Sequence, residues 1–207
     1  MVELTIENCT LDELAWDKQD GLLPAIVQDA TTLRVLMLGY MDREALRLTL
    51  QTCKATFYSR TRAKLWTKGE TSGNSLGVVS VAADCDRDTL LVLAHPRGPT
   101  CHLGTPSCFS AHAASSMIGE LDALVAARAR ERPEDSYTTK LFESGIARIA
   151  QKVGEEGVEV ALAAVTGDDA QLLGEGADLI YHLIVLLRAR GLSVRDVEAV
   201  LEQRHRR

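Results

Sequence analysis

The period of the hydrophobic pattern changes once along this chain, near residue 112, and that change constrains the fold more than any other feature. Before it, short apolar runs alternate with polar turn material. Leu23-Pro24-Ala25-Ile26-Val27-Gln28-Asp29 and Val35-Leu36-Met37-Leu38-Gly39-Tyr40 read as strands able to pair as a hairpin. Asp42 is a candidate N-cap for a short helix over 43–52. Residues 56–59, 78–84 and 89–94 read as further strands, and glycine and proline cluster over 96–106 as an extended loop. After residue 112, apolar residues recur at helical spacing: over 115–131 as Met117, Ile118, Leu121, Leu124 and Val125, then over 141–164 and over 168–190, where Gly191 stops the pattern. Ser193 is a candidate cap for a last helix over 194–203. No internal repeat is visible. The expectation is two domains: a mainly-β (α+β) domain over 1–112 and an all-α helical bundle over 113–207.

Composition narrows the class. Hydrophobic residues at 46% and charged residues at 25% supply an ordinary core and surface. Aromatics are only 4%, so aliphatic side chains must fill that core. A net charge of −6 with no basic stripe argues against nucleic acid as the main partner. It leaves anionic small substrates open, because divalent metals bridge carboxylates to phosphates. Met1 to Thr10 lacks the charged-then-apolar pattern of a leader, and no stretch approaches the roughly 20 apolar residues of a membrane span. Five cysteines, an odd number, fit thiols or metal ligands better than a disulfide framework. The expected setting is the cytoplasm.

The sharpest constellation is Lys152-Val153-Gly154-Glu155-Glu156-Gly157-Val158-Glu159, followed by Glu175-Gly176-Ala177-Asp178. On a helix, Glu156 and Glu159 neighbour each other, as do Glu155 and Glu159, and Glu175 and Asp178 do the same on the next helix. Packed together, these acids would repel unless a hard cation such as magnesium neutralised them. A solvated acidic face is the bland alternative, but apolar residues flank the acids closely (Val158, Val160, Ala161, Leu162; Leu179, Ile180, Leu183) and place them at the edge of a core. Glu-Glu-x-x-Glu followed by Glu-x-x-Asp resembles the all-α nucleoside triphosphate pyrophosphohydrolases. The strings Ser136-Tyr137-Thr138-Thr139-Lys140-Leu141 and Asp178-Leu179-Ile180-Tyr181-His182-Leu183 resemble the phosphoribosyl-ATP pyrophosphohydrolase branch, over about residues 114 to 207. The resemblance implies hydrolysis of phosphoribosyl-ATP to phosphoribosyl-AMP and pyrophosphate. It implies magnesium on Glu156, Glu159, Glu175 and Asp178, Glu155 as a further ligand or the residue that orients water, and Lys152 at a phosphate.

The first half carries Asp84-Cys85-Asp86-Arg87-Asp88, then Cys101-His102 and Cys108. Thiolates favour zinc and clustered aspartates favour a hard cation. On a strand, Asp84, Asp86 and Asp88 would share one face and Cys85 the other. The same residues equally read as a hairpin turn with a lone buried cysteine, and cysteine offsets of 16 and 7 match no zinc ribbon. Asp-Cys-Asp-x-Asp, Cys-His-x-Gly and Ser107-Cys108 resemble phosphoribosyl-AMP cyclohydrolase. So do Leu38-Gly39-Tyr40-Met41-Asp42, Ser59-Arg60-Thr61-Arg62 and the run from Leu65 to Asn74, over about residues 15 to 112. The resemblance implies hydrolytic opening of the adenine ring of phosphoribosyl-AMP between N1 and C6. It implies zinc on Cys85 of one subunit and Cys101 and Cys108 of the other, hence a homodimer, and magnesium on Asp84, Asp86 and Asp88. His102 is the candidate proton carrier.

Arg60, Arg62 and Lys68 are candidates for substrate phosphate, although any single basic residue is more often a solvated surface charge. Gly69, Glu70, Ser72, Gly73 and Asn74 form a small-residue loop whose N–H groups could approach phosphate or ribose, or a plain turn. Trp66 lies beside it as core filling or as a base platform. Two other readings stay open: a nucleotide pyrophosphohydrolase of broader substrate range with a zinc-binding accessory module, and a non-catalytic, zinc-stabilised interaction protein.

Overall fold

The computed structural model describes residues 4–205, so the expected domain ends at 1 and 207, and the first three positions of the N-terminal stretch, lie outside the described residues. The chain divides into two compact units at Ser116/Met117. The division falls beyond the change of period because the intervening segment bonds back to the first unit. Ser116 N–H donates to Thr32 O (2.8 Å) and the Arg34 guanidinium to Ser115 Oγ (2.8 Å).

In the first unit, β1 (Leu23–Asp29) and β2 (Val35–Met41) form the expected antiparallel hairpin. With β5 (Leu76–Ala83) and β6 (Leu90–Pro96) they make a four-stranded sheet of order β2-β1-β6-β5, in which β1 and β6 run parallel. Leu23, Ala25 and Val27 of β1 are buried at alternate positions, as the two-residue period of a strand requires. Asp42 caps α1 (Arg43–Thr52) by accepting from Ala45 N–H at 2.7 Å. A two-stranded sheet pairs β3 (Thr56–Ser59) with β4 (Lys64–Thr67), a strand the sequence pattern does not announce. Phe57 of β3 is fully buried, and its ring lies where a side chain on Gly39 would point. A Cβ there would come within 2.4 Å of it, so β2 needs glycine at this position.

The second unit is helical throughout: α2 (Met117–Glu131), α3 (Tyr137–Glu143), α4 (Ile146–Thr166), α5 (Asp169–Ala189) and α6 (Val194–His205). The single helix expected over 141–164 is two. Gly145 adopts φ +82° between α3 and α4, a left-handed conformation that breaks the ladder. Asp168 caps α5 in a reciprocal capping box with Gln171. Val125, Leu141, Ile149, Ile184 and Val185 form the core. Asp122 and Arg188 cross it as a bidentate pair, both N–O distances 2.6 Å. By length and composition alone, α5 could cross a membrane, with a mean hydropathy of 1.3, an exception to the reading that no stretch approaches a span. Here it supplies Ile184 and Val185 to the helical core and carries Glu175, Asp178 and His182 along its length.

Candidate active sites

α4 and α5 bring the acids together. Carboxylate oxygens of Glu156, Glu175 and Asp178 lie within 4.8 Å of one another. Glu156 is only 4% exposed. Lys152 Nζ lies 2.7 Å from its Oε1, and the hydrogen bond from Lys152 holds the Glu156 carboxyl below the usual carboxylate range. Glu159 falls outside the closest triad but hydrogen-bonds to Glu156. That bond and the negative charge of Glu156 push the Glu159 carboxyl up. A buried carboxylate with two close carboxylate partners and a fourth acid beside them make a set of hard oxygen donors, the chemistry that suits magnesium.

Glu155 and Lys152 are placed differently from the triad. The Glu155 carboxylate engages Arg148 (3.2 Å), Gln151 (2.8 Å) and Lys152 (3.0 Å) and stays outside the triad. Lys152, expected at a substrate phosphate, here bridges Glu155 and Glu156, and both contacts raise its pKa.

In the strand-rich unit, residues 84–88 form a turn between β5 and β6 and not the strand that would put aspartates and cysteine on opposite faces. Arg87 takes φ +62°, and Asp84 Oδ1 accepts from the N–H groups of Asp88 (3.0 Å) and Thr89 (3.1 Å). The turn still clusters the three carboxylates, with oxygens of Asp84, Asp86 and Asp88 within 4.8 Å of one another. Lys18 Nζ sits on them, 2.5 Å from Asp86 Oδ2 and 3.3 Å from Asp88 Oδ2.

All five cysteines are free thiols. Cys101 and Cys108 hydrogen-bond to each other across the 101–108 loop. Ser107 Oγ donates to Val35 O (2.7 Å) and Cys108 N–H to Leu36 O (2.8 Å), which fastens this loop to β2. The Leu103 N–H, pointing at Cys101 sulfur, lowers that thiol. Cys108 is exposed as a residue, but partial covering of its sulfur, and then the charge of Cys101, raises its thiol. His102 Nδ1 lies 3.8 Å from Cys101 Sγ. Among the described residues, no group of three ligand atoms within 4.8 Å of one another includes a cysteine, so Cys85 does not join Cys101 and Cys108 within one chain.

Five of the candidate substrate residues line two cavities. One, of about 370 Å³, is lined by Arg62 and Trp66 with Ser59, Thr61 and Lys64. Trp66 also packs on Phe57, ring centroids 5.0 Å apart, so it serves the core and faces the cavity. The other, of about 390 Å³, is lined by Lys68, Gly69 and Glu70 together with Lys54 and Ser75. Arg60, Ser72, Gly73 and Asn74 line neither. The Arg60 guanidinium lies over the Tyr40 ring at 3.8 Å, and Ser72 Oγ accepts from Asn74 N–H at 3.2 Å.

Residues 37–110 match the family described as phosphoribosyl-AMP cyclohydrolase, and residues 118–205 match phosphoribosyl-ATP pyrophosphohydrolase. The histidine biosynthesis bifunctional protein HisIE of Xanthomonas campestris is 64% identical over 99% of this chain and 98% of its own. The HisIE protein of Escherichia coli K12 is 58% identical over 93% of this chain and 96% of its own. The chain belongs to this bifunctional family.

In the family's terms, the strand-rich unit is the cyclohydrolase domain and the helical unit the pyrophosphohydrolase domain, in the order expected from the motifs. Both motif sets lie inside the matched segments. Membership removes the two competing readings, a broad nucleotide hydrolase with an accessory module and a non-catalytic interaction protein. Two site residues escape the sequence reading. Lys18 is 68 positions from Asp86, so no local spacing reveals their contact. His182 is buried beside Glu156 and Asp178. A signal for it existed, because residues 175, 178 and 182 share one face of a helix.

Proposed function

We propose that this bifunctional hydrolase carries out the second and third steps of histidine biosynthesis as a metal-dependent homodimer. The helical domain hydrolyses phosphoribosyl-ATP to phosphoribosyl-AMP and pyrophosphate, and the strand-rich domain then opens the adenine ring of phosphoribosyl-AMP between N1 and C6. The observation that carries the metal reading is the meeting of Glu156, Glu175 and Asp178 from two helices, with Glu156 buried.

In the helical domain, Glu156, Glu175 and Asp178, joined by Glu159, would hold magnesium, which when bound neutralises polyphosphate and positions the attacking water. Lys152, which here holds Glu156, would be the cation for a substrate phosphate once Glu156 serves as a ligand. Glu155, fixed by Arg148 and Gln151, keeps a carboxylate at the edge of the site for the water proton.

In the cyclohydrolase domain, Asp84, Asp86 and Asp88 would hold magnesium. Cys101 and Cys108, with Cys85 of the partner subunit, would hold zinc, which when bound activates water at an open fourth position. His102, beside Cys101, carries the proton. Arg62 and Lys68 stand at cavity walls to take phosphate. Exposed apolar residues on α4 and α5, among them Val158, Leu162, Val165 and Leu173, support burial against a second copy. Five free thiols suit a reducing, cytoplasmic setting.

The test follows both products from phosphoribosyl-ATP in one reaction, with magnesium and zinc present. Wild type should release pyrophosphate and form the ring-opened product. Cys101→Ala should stop at phosphoribosyl-AMP. Glu156→Ala should fail with phosphoribosyl-ATP and still open the ring of supplied phosphoribosyl-AMP. Full ring opening by Cys101→Ala would overturn the thiolate assignment.

A further inference from the structure

The pyrophosphohydrolase domain buries one imidazole to which the chemistry above gives no part. His182 is 4% exposed, and its two ring nitrogens have different neighbours. Nδ1 lies 2.9 Å from the main-chain oxygen of Asp178, one turn back on α5. That oxygen can only accept, so Nδ1 carries the proton. The same nitrogen lies 3.6 Å from Glu156 Oε1 on α4. Nε2 faces the Tyr137 hydroxyl at 3.3 Å, within hydrogen-bond distance of the first residue of α3. The next residue, Thr138, meets the Tyr181 hydroxyl through Oγ1 at 2.9 Å. One side chain therefore contacts α3, α4 and α5 at the level of the acid triad.

We propose that His182 is a positioning residue for the pyrophosphohydrolase reaction. Its ring, held by the Nδ1–H on the Asp178 carbonyl and packed with Nδ1 3.6 Å from Glu156 Oε1, sets the orientation in which Glu156 and Asp178 present their oxygens to a divalent cation. The inference rests on reading these acids as ligands. Groups that hold metal ligands in place are worth about 10- to 100-fold in metal affinity.

Asparagine and glutamine separate this role from packing. The amide nitrogen of His182→Asn falls near the position of Nδ1, and that of His182→Gln near Nε2. The probe is manganese(II), titrated into the full-length protein and followed by the resonance of the free ion, with Glu156→Gln as the blank for sites elsewhere in the chain. His182→Gln should weaken binding at the Glu156-dependent site by roughly 10- to 100-fold and lower kcat with phosphoribosyl-ATP. His182→Asn should recover most of the affinity. Circular dichroism at the helix band should stay at the wild-type value in both variants, which shows that the helical domain is folded, and ring opening of phosphoribosyl-AMP, carried out by the other domain, should stay at the wild-type rate. Equal losses in both variants would reduce His182 to core filling, and wild-type affinity in both would remove it from the site. If Glu156→Gln binds manganese as wild type does, the ligand assignment itself fails, a different result from failure of the His182 role.

Discussion

Lys152 Nζ lies 2.7 Å from Glu156 Oε1, one helical turn along α4, and it is the cation that stabilises a buried carboxylate before any metal arrives. The Glu156 carboxyl is depressed and the Lys152 ammonium raised, so both members stay charged across the neutral range. On the proposed metal reading, the lysine and a divalent cation would compete for one oxygen.

Lys152→Met should destabilise the metal-free helical domain and leave the magnesium-loaded one much less affected. Removing one member of a pair whose other member is buried leaves an uncompensated charge. Discounted for the partial exposure of Lys152, a loss of about 1 kcal/mol would lower the melting temperature by about 4–8 °C in a domain of this size. Circular dichroism at the helix band, with and without magnesium, reads the difference. Equal destabilisation in both states would show that Lys152 remains on Glu156 after metal binds.

Glu159 gives the metal-free protein a pH dependence of known sign. Its carboxyl is raised in the folded state by its hydrogen bond with Glu156 and by the charge of Glu156. A raised pKa contributes stability that is complete below the unfolded value and is lost as pH rises through the folded value. The reference value is 4.5, so the metal-free helical domain should lose stability as pH climbs from there through the raised pKa of Glu159. Glu159→Gln should flatten that slope and weaken magnesium binding. A wild-type slope in the variant would assign the dependence to another group.

Much of the fold was legible because periodicity is local. β1 spans the residues its alternation marks, and Asp42 caps α1 where the sequence places it. β4 escaped because Lys64-Leu65-Trp66-Thr67 is too short to show a period. The break at Gly145 escaped because Leu141 and Ile149 continue a helical spacing across it, and only the backbone angle of one glycine interrupts the helix. The acids were legible for the same local reason, carboxylates three apart on successive helices. At 84–88 the chain follows the hairpin-turn reading and not the alternating-strand one, yet the carboxylates still cluster, since Asp84 draws Asp88 back through its N–H. What spacing could not show were partners brought in by tertiary packing: Lys18 on the aspartates, and Tyr137 on His182.

Lys18→Met should change stability little and metal affinity measurably. Its contacts with Asp86 and Asp88 lie at the solvent surface, where screening leaves an ion pair little net stabilisation. A magnesium ion entering the aspartates must displace the ammonium, so removing it should tighten magnesium binding severalfold, more at low ionic strength than at high. Calorimetric titration in a Glu156→Gln background isolates this site. Weaker binding in the variant would mean that Lys18 helps to order the aspartates and does not compete for them.

The Asp122–Arg188 pair makes the sharpest stability prediction. Asp122 is 2% exposed and accepts both guanidinium bonds at 2.6 Å, joining α2 to α5. Asp122→Ala leaves the partly buried Arg188 without its carboxylate, and Arg188→Ala leaves a buried carboxylate alone. Each should cost about 3–5 kcal/mol. The double change Asp122→Leu with Arg188→Met removes both charges and fills the space with apolar atoms, so it should recover most of the loss. Urea unfolding followed at the helix band compares the three variants. Because Arg188 lies six residues beyond His182 on α5, the single variants should also shift the acid triad and lower magnesium affinity, while the double variant restores both. Recovered stability without recovered affinity would separate the two effects, with the ion pair itself then needed to hold α5 in register with α4.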